Sequence, residues 1–209
     1  HYTLVDTAGM RKQFRVRDSV EKFSFFRAEQ TIAEADIVVV LMDAAAGPGK
    51  LEKKILALAR ERQKACVLLI NKWDLARGTG VKEADYEASL RKELFFLSDI
   101  PVVFVSALSG HHIRRSFEII DAVAARLMTV IPTGVLNRVL HDAFQKTQPP
   151  FSGRRQLKFY YATQTGQNPP RITLFVNEPR LNNPTYQAYL TTRLRDAFDL
   201  AGVPLILRY

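Results

Sequence analysis

The sequence has little cysteine and no long apolar run. Its one cysteine, Cys66, excludes a disulfide framework, and its position in the apolar stretch ACVLLI predicts a buried strand residue without a chemical role. No stretch approaches the ~18 uninterrupted apolar residues that a membrane helix needs. The first residues, HYTLVDTAGM, lack the basic-then-apolar order of a signal peptide. We therefore predict a cytoplasmic protein without a membrane partner.

Acidic residues are scarce in the C-terminal part of the chain. The whole sequence carries a net charge of +9 with a pI near 9.8. Residues 131–209 hold 10 Lys and Arg against 4 Asp and Glu, whereas residues 1–130 hold 20 against 17. Lys and Arg that neutralise phosphates release condensed counterions, so this balance favours a polyanionic partner. A solvated basic face is the alternative interpretation.

Three short apolar runs rich in β-branched residues lie at Asp36–Met42, Ala65–Ile70 and Pro101–Val105. Stretches with helical periodicity separate them, which is typical of buried parallel strands in an α/β sheet. Tyr2–Val5 resembles one more strand. The predicted crossover helices cover about residues 20–34, 48–62, 84–97 and 113–128.

A different order of elements follows a connector at residues 129–134. It predicts a small α+β domain with the order α-β-β-α-β, so we place the domain boundary between residues 1–130 and 131–209. A polar loop is predicted at residues 148–155. The predicted helices and strands cover residues 135–145, 156–163, 171–176, 184–200 and 203–208.

The tetrapeptide Asn71-Lys72-Trp73-Asp74 comes directly after the second apolar run. Open α/β sheets bind ligands beyond the carboxyl ends of their strands. A carboxylate at Asp74 can accept hydrogen bonds from N1 and the exocyclic N2 of guanine, donors that adenine does not offer. Lys72 would lay its aliphatic stem against the nucleoside, Asn71 would hold neighbouring loops together, and Trp73 would pack internally.

Two further motifs follow predicted strands. In the D-T-A-G sequence of residues 6–9, Asp6 can hold a water on Mg²⁺ and the Gly9 amide can approach a γ-phosphate. In the S-A-L sequence of residues 106–108, the Ala107 amide can face the guanine O6. The candidate nucleotide-binding residues are Asp6, Thr7, Ala8, Gly9, Asn71, Lys72, Asp74, Ser106, Ala107 and Leu108.

These motifs resemble the third, fourth and fifth motifs of translation-factor-type GTPases. The stretch from Val20-Glu-Lys-Phe-Ser24 to Ala35-Asp36 resembles the second GTPase domain of the Der (EngA) family. The segments YATQTGQNPP at residues 161–170 and LFVNEP at residues 174–179, with Tyr189-Leu190 and Arg193, resemble the KH-like C-terminal domain of that family.

The resemblance implies a P-loop-type GTPase domain with a mostly parallel sheet, followed by a KH-like domain. It implies GTP or GDP and Mg²⁺ as ligands, with K⁺ as an activator of hydrolysis. It further implies assembly of the large ribosomal subunit as the role, the rRNA of that subunit and an upstream GTPase domain as contacts, and no DNA partner.

The sequence departs from this pattern in the catalytic motifs. It contains no G-x-x-x-x-G-K-[ST] and no switch I threonine, and Met10 stands where many GTPases have a water-orienting glutamine. We therefore expect a chain that begins partway through a GTPase domain and hydrolyses no GTP by itself. The resemblance implies that a monovalent cation assists hydrolysis in the family.

For several polar side chains, the sequence allows both a functional and a purely structural interpretation. His111 and His112 have no carboxylate or cysteine partner at ligand spacing, which favours loop residues over metal ligands. For the basic residues that follow D-T-A-G, one interpretation is contact with rRNA or a response to the γ-phosphate. The other is a solvated loop. These basic residues are Arg11, Lys12, Arg15 and Arg17.

Residues 131–209 contain no G-x-x-G, the loop with which KH domains clamp a nucleic-acid backbone. An Era-type GTPase would be expected to have one. Contact with rRNA phosphates or a neighbouring GTPase domain is predicted instead for Arg154, Arg155, Lys158 and Arg171. The rival function is a non-catalytic basic module that binds rRNA without regard to nucleotide.

Overall fold

The computed structural model describes residues 1–5, 29–94 and 98–209. They form two compact units. The first contains residues 1–98 and 102–112, and the second contains residues 99–101 and 113–209. No helix in the described ranges is long and apolar enough to cross a membrane.

The first unit contains a three-stranded parallel sheet. Its strands are β1 (Ile37–Asp43), β2 (Ala65–Asn71) and β3 (Val102–Phe104), with β2 in the centre. The first six residues of β2 are all buried, as expected for a strand covered on both faces. The α/β class, the three apolar strands and the burial of Cys66 at 3% exposure are confirmed.

Three helices are described in full around this sheet: α1 (Lys50–Glu61), α2 (Trp73–Arg77) and α3 (Glu83–Glu93). Helix α1 buries Leu56 and Ala59, which lie three residues apart and therefore on one face. The five-residue α2 was not predicted, because one turn has no hydrophobic period to detect. Helix α3 ends earlier than predicted, at Glu93. Residues 29–34, at the end of the predicted first helix, are helical.

The predicted strand at Tyr2–Val5 is wrong for the part of the chain described. Residues 1–5 belong to no strand and are all exposed, with Leu4 at 91%. A strand requires a hydrogen-bonded neighbour, and none of the described strands pairs with these residues. The motif at residues 6–9, Met10 and the basic residues up to Arg17 lie outside the described residues.

The second unit combines three helices with a second sheet. The helices are α4 (Ile113–Leu127), α5 (Thr133–Lys146) and α6 (Pro184–Phe198). The sheet has the order β6 (Phe159–Gly166), β7 (Arg171–Val176) and β8 (Ile206–Arg208); β6 and β7 are antiparallel, and β7 and β8 are parallel. The predicted α-β-β-α-β order is thus present in α5, β6, β7, α6 and β8.

The predicted polar loop at residues 148–155 is partly wrong. Its second half, with Gln156, folds into a small antiparallel hairpin of β4 (Phe151–Ser152) and β5 (Arg155–Gln156). The turn contains Gly153 at φ 62°, a conformation that glycine adopts without steric cost. Two-residue strands are too short for an alternating pattern to reveal them.

One face of the second sheet carries the core of this unit, to which α5 and α6 contribute. Ile172 and Leu174 of β7 are buried, whereas Phe175, the residue after Leu174, is 50% exposed. The opposite face of the sheet is therefore open. The buried cluster consists of Ile131, Leu136, Leu140, Ala143, Leu157, Ala162, Ile172, Leu174, Tyr186, Leu190, Leu194 and Leu207.

A side-chain amide on α5 completes the hydrogen bonding of the edge strand β6. Asn137 Nδ2 donates to the Ala162 carbonyl oxygen at 2.8 Å, and Asn137 Oδ1 accepts from the Ala162 amide at 2.8 Å. Ala162 is fully buried, so no water can replace these two bonds. Asn137 therefore fixes the helix to the sheet by polar contacts within an apolar core.

Candidate functional site

The loops that follow the three parallel strands lie at one edge of the first sheet. Asp43 and Asn71 pair in register as the last residues of β1 and β2. Val105 follows β3, and its amide donates to the Ile70 carbonyl oxygen at 2.8 Å. The predicted convergence of the Asn71 and Ser106 loops therefore follows from the parallel sheet.

The side chain of Asn71 connects these two loops. Its Oδ1 accepts hydrogen bonds from the Lys72 amide at 2.8 Å and from the Ala107 amide at 3.1 Å. The Trp73 amide donates to the Val105 carbonyl oxygen at 3.0 Å, which adds a second connection. A guanine O6 near Ala107 would share or replace the bond that its amide makes to Asn71.

Lys72 forms an ion pair with Asp43, which is not among the candidate residues predicted from the sequence. Its backbone is left-handed at φ 62°, and its Nζ lies 2.6 Å from Asp43 Oδ2. Asp43 Oδ1 accepts from the Ala45 amide at 2.9 Å. The hydrogen bond from Lys72, followed by that from Ala45, holds the pKa of Asp43 below its usual value of 3.8.

We expect Asp43→Asn to lower stability slightly at neutral pH and less in acid. A depressed carboxyl pKa contributes stability above the unfolded-state value, and this contribution is lost as the pH falls through the folded value. The effect should stay below about 1 kcal/mol because solvent screens the Lys72 side chain, which is 55% exposed. Denaturation at pH 7 and near pH 3 measures it, and an equal difference at both pH values would contradict the assignment.

Asp74 has an unsatisfied carboxylate oxygen. It lies in the first turn of α2, and its Oδ1 is buried without a hydrogen-bond partner among the described residues. A buried acceptor without a donor costs on the order of 1 to 3 kcal/mol. This oxygen is therefore suited to accept donors from a ligand.

The neighbouring Trp73 packs in the interior, as the sequence predicted. It is 2% exposed, and its ring lies 4.4 Å from that of Phe104 and 5.4 Å from that of Tyr86. The Tyr86 hydroxyl donates to the Ala44 carbonyl oxygen at 2.9 Å. These rings support the short helix on which Asp74 lies.

The loop after β3 is closed on itself. The Ser106 amide donates to the His111 carbonyl oxygen at 3.1 Å, and Ser106 Oγ accepts from the Ser109 amide at 3.2 Å. Ser106 is fully buried and shapes the loop from within. Leu108 is 90% exposed and points into solvent.

The structure thus brings together Asn71, Lys72, Asp74, Ser106 and Ala107 at one sheet edge, and it adds Asp43. Asp43 had a sequence signal, since it is the polar residue that ends an apolar strand beside Asn71. The four motif residues Asp6, Thr7, Ala8 and Gly9 lie outside the described residues.

The basic candidates of the second unit are all exposed but do not form one patch. Arg154 and Arg155 lie on the β4–β5 hairpin, where Arg155 pairs with Glu178 at 3.0 Å. Lys158 precedes the start of β6, whereas Arg171 pairs with the end of that strand. Seven strand steps of roughly 3.3 Å place these ends on the order of 20 Å apart.

Family models match both parts of the chain. Residues 1–132 match the elongation factor Tu GTP binding domain. Residues 131–209 match the KH-domain-like C-terminal region of EngA bacterial GTPase enzymes. The junction between the two matches lies at residues 131–132, whereas the compact units divide at residue 113.

Curated relatives are similar over nearly the whole chain. GTPase Der of Desulforudis audaxviator is 39% identical over 204 residues, which are 98% of this chain and 47% of the relative. GTPase Der of Caldanaerobacter subterraneus subsp. tengcongensis is 38% identical over 207 residues, 99% of this chain and 47% of that protein. The chain therefore spans about half the length of these relatives.

Among solved structures, a variant of Aquifex aeolicus Era bound to GDP.AlF4- aligns over 91% of this chain and 70% of that chain. Its identity is 17% and its TM-score 0.41, so it adds nothing to an inference about function. The family models and the relatives agree with the motifs and the fold: this chain belongs to the Der (EngA) family of GTPases and contains an elongation-factor-Tu-type GTP-binding domain and a KH-like domain.

Proposed function

We propose that the first unit binds the guanine base of GTP and GDP at the edge where β1, β2 and β3 end. The observation that carries this proposal is the buried Asp74 Oδ1, which lacks a partner among the described residues. The N1 and N2 groups of guanine are two adjacent donors that fit a carboxylate. Adenine presents no such pair, so the site selects guanine.

The surrounding contacts support the same assignment. Asn71 holds the Ala107 loop beside the loop that carries Asp74, so the recognition groups are positioned before the nucleotide arrives. The ion pair between Lys72 and Asp43 fixes the ammonium end of the lysine side chain, whose aliphatic stem then covers one face of the nucleoside. Ser106 keeps the second loop closed.

For the complete protein we propose GTP hydrolysis during assembly of the large ribosomal subunit in the cytoplasm. Asp6 would hold Mg²⁺ through a water, and K⁺ would assist the reaction; neither step involves the described residues. The 209 residues contain no G-x-x-x-x-G-K-[ST], so this polypeptide alone is expected to hydrolyse no GTP.

Nucleotide analogues test base recognition directly. IDP lacks the 2-amino group and removes one of the two bonds to Asp74, so its affinity should be about 10- to 100-fold lower than that of GDP. ADP should bind more weakly still. Competition against a fluorescent GDP, in a protein that includes upstream GTPase sequence, measures all three affinities, and equal affinity for GDP and IDP would refute the proposed contact.

We propose that the second unit contacts ribosomal RNA with the open face of its sheet. Ile172 and Leu174 point into the core, so the alternate residues of β7 point outward. Tyr161 and Phe175 pair across the strands on that outer face, with ring centroids 5.6 Å apart. Both are at least 44% exposed and offer stacking surfaces for unpaired bases.

Arginines complete this outer face. Arg171 begins β7, and Arg208 lies opposite Thr173 on the neighbouring strand β8. Both are exposed, and neither has a carboxylate partner within the described strands. Cations beside exposed rings favour single-stranded RNA, which is bound through phosphates and stacked bases.

We expect the double substitution Arg171→Ser and Arg208→Ser to weaken rRNA binding and to lower its salt slope by about 2, one for each lost phosphate contact. Arg138→Ser on α5 removes one equally exposed charge and is the control. Filter binding at several salt concentrations gives both slopes. If Arg138→Ser lowered rRNA affinity and the salt slope as much per removed charge as the double substitution, the result would favour a basic module that binds rRNA without a defined contact face.

A further inference from the structure

A cluster of ligand-type side chains lies in the first unit apart from the base-recognition groups. Glu83, His111 and His112 each offer one ligand atom, and these atoms all lie within 4.8 Å of one another. In the sequence, no carboxylate stands at ligand spacing from the two histidines. The fold nevertheless brings Glu83 close to His111 across 28 positions of sequence.

The hydrogen bond of His112 leaves one of its nitrogens available. His112 Nδ1 lies 3.1 Å from the Phe104 carbonyl oxygen. A carbonyl oxygen only accepts, so Nδ1 carries the proton and Nε2 keeps its lone pair. This is how metal-binding histidines are commonly oriented, with the second ring nitrogen donating to a backbone carbonyl. His112 holds this position with a left-handed backbone at φ 54°.

His111 presents a nitrogen with no hydrogen bond among the described residues. Its Nε2 is buried and lies 3.9 Å from Glu83 Oε1, beyond hydrogen-bond distance. The two imidazole rings are stacked with their centroids 3.7 Å apart. The bond from the Ser106 amide to the His111 carbonyl oxygen fixes the backbone of this loop. The polar atoms therefore lie close together without pairing, and the stacked rings must tilt apart before both can direct a lone pair at one ion.

We propose that Glu83, His111 and His112 bind a divalent transition-metal ion of the zinc class. Tetrahedral bonds of about 2.0 Å separate ligand atoms by roughly 3.3 Å, so Glu83 Oε1 and His111 Nε2, now 3.9 Å apart, must approach by about half an ångström, and ligand atoms up to 4.8 Å apart by about 1.5 Å. Glu83 is the first residue of α3 and its side chain is 40% exposed, which leaves it free to rotate. Imidazole and carboxylate together favour zinc, cobalt or nickel over magnesium or calcium.

The surroundings leave a coordination position for water. Glu83 and His111 line an open cleft of about 510 Å³, whose other walls include Arg77, Gly80 and Lys82. Such a site, with protein ligands on one side and solvent on the other, permits an ion to enter and exchange. Bound metal would join the start of α3 to the loop after β3 and stabilise both.

Titration of the chelator-treated 209-residue chain with Co²⁺ and Zn²⁺ tests this site. We expect one ion per chain, the intense visible absorption of tetrahedral Co²⁺, and displacement of Co²⁺ by Zn²⁺. Glu83→Gln, His111→Asn and His112→Asn should each weaken affinity at least about tenfold, since outer-shell changes alone cost 10 to 100-fold. Asparagine suits position 112 because it tolerates a positive φ.

The control is His141→Asn, which removes a histidine of the second unit that packs against Phe159. It should bind both ions as the unchanged chain does, and circular dichroism checks that every variant is folded. Unchanged affinity in the three site variants, or an equal loss in His141→Asn, would overturn the proposal. The titration contains no nucleotide, so its result does not depend on guanine recognition.

Discussion

Asp74→Asn is expected to lower the affinity for GDP by roughly 10²- to 10⁴-fold, the loss of two charge-assisted hydrogen bonds at about 1.5 to 3 kcal/mol each. The amide places a donor where the carboxylate had an acceptor, so it faces the 2-amino group of guanine unfavourably. Xanthine carries an oxygen in place of the 2-amino group and can accept from the new amide. The preference should therefore shift from GDP towards XDP.

The experiment needs a protein that includes the upstream GTPase sequence, because phosphate contacts raise all affinities into a measurable range. Competition with fluorescent GDP gives the constants for GDP and XDP in each variant. Asp85→Asn is the control, since Asp85 is an exposed carboxylate on α3. Unchanged guanine preference in Asp74→Asn would show that this carboxylate does not contact the base.

Asn137→Leu is expected to lower the free energy of unfolding of the second unit by about 2 to 5 kcal/mol. Leucine has a similar volume but leaves both backbone groups of Ala162 without partners inside the core. Each buried backbone group without a hydrogen-bond partner costs on the order of 1 to 3 kcal/mol. Chemical denaturation followed by circular dichroism measures the loss.

A local measurement separates this cause from a general packing defect. The Ala162 amide should exchange its hydrogen much faster in Asn137→Leu than in the unchanged chain. Asn137→Asp keeps the acceptor Oδ1 and loses the donor Nδ2, so it should retain part of this protection. Full protection of the Ala162 amide in Asn137→Leu would refute the role of the side chain.

Local sequence patterns predicted the elements that bury continuous apolar surface. β1 and β2 are seven-residue strands with six apolar residues each, and α4 ends at Leu127, one residue before its expected end. Elements that consist of a single helical turn, or of two very short paired strands, were not predicted. Helix α2 has five residues, and the hairpin at Phe151–Gln156 depends on a left-handed glycine.

In the candidate site too, the residues could be identified from local sequence, whereas the contacts between distant residues could not. Asp74 and Asn71 were identified because a motif follows a strand. Their order in the sequence did not indicate that Lys72 would pair with Asp43, which lies 29 residues away. Glu83 and His111 meet for the same reason, since the position of α3 beside the loop after β3 is a tertiary feature that no local period encodes.

The chain contains a single tryptophan, and it is the buried Trp73 beside Asp74. Its intrinsic fluorescence therefore reports on the first unit alone, because the second unit has no indole. Unfolding should shift its emission to longer wavelength as water reaches the ring. Comparison of that transition with the circular dichroism of all helices would reveal whether the two units melt together or one before the other.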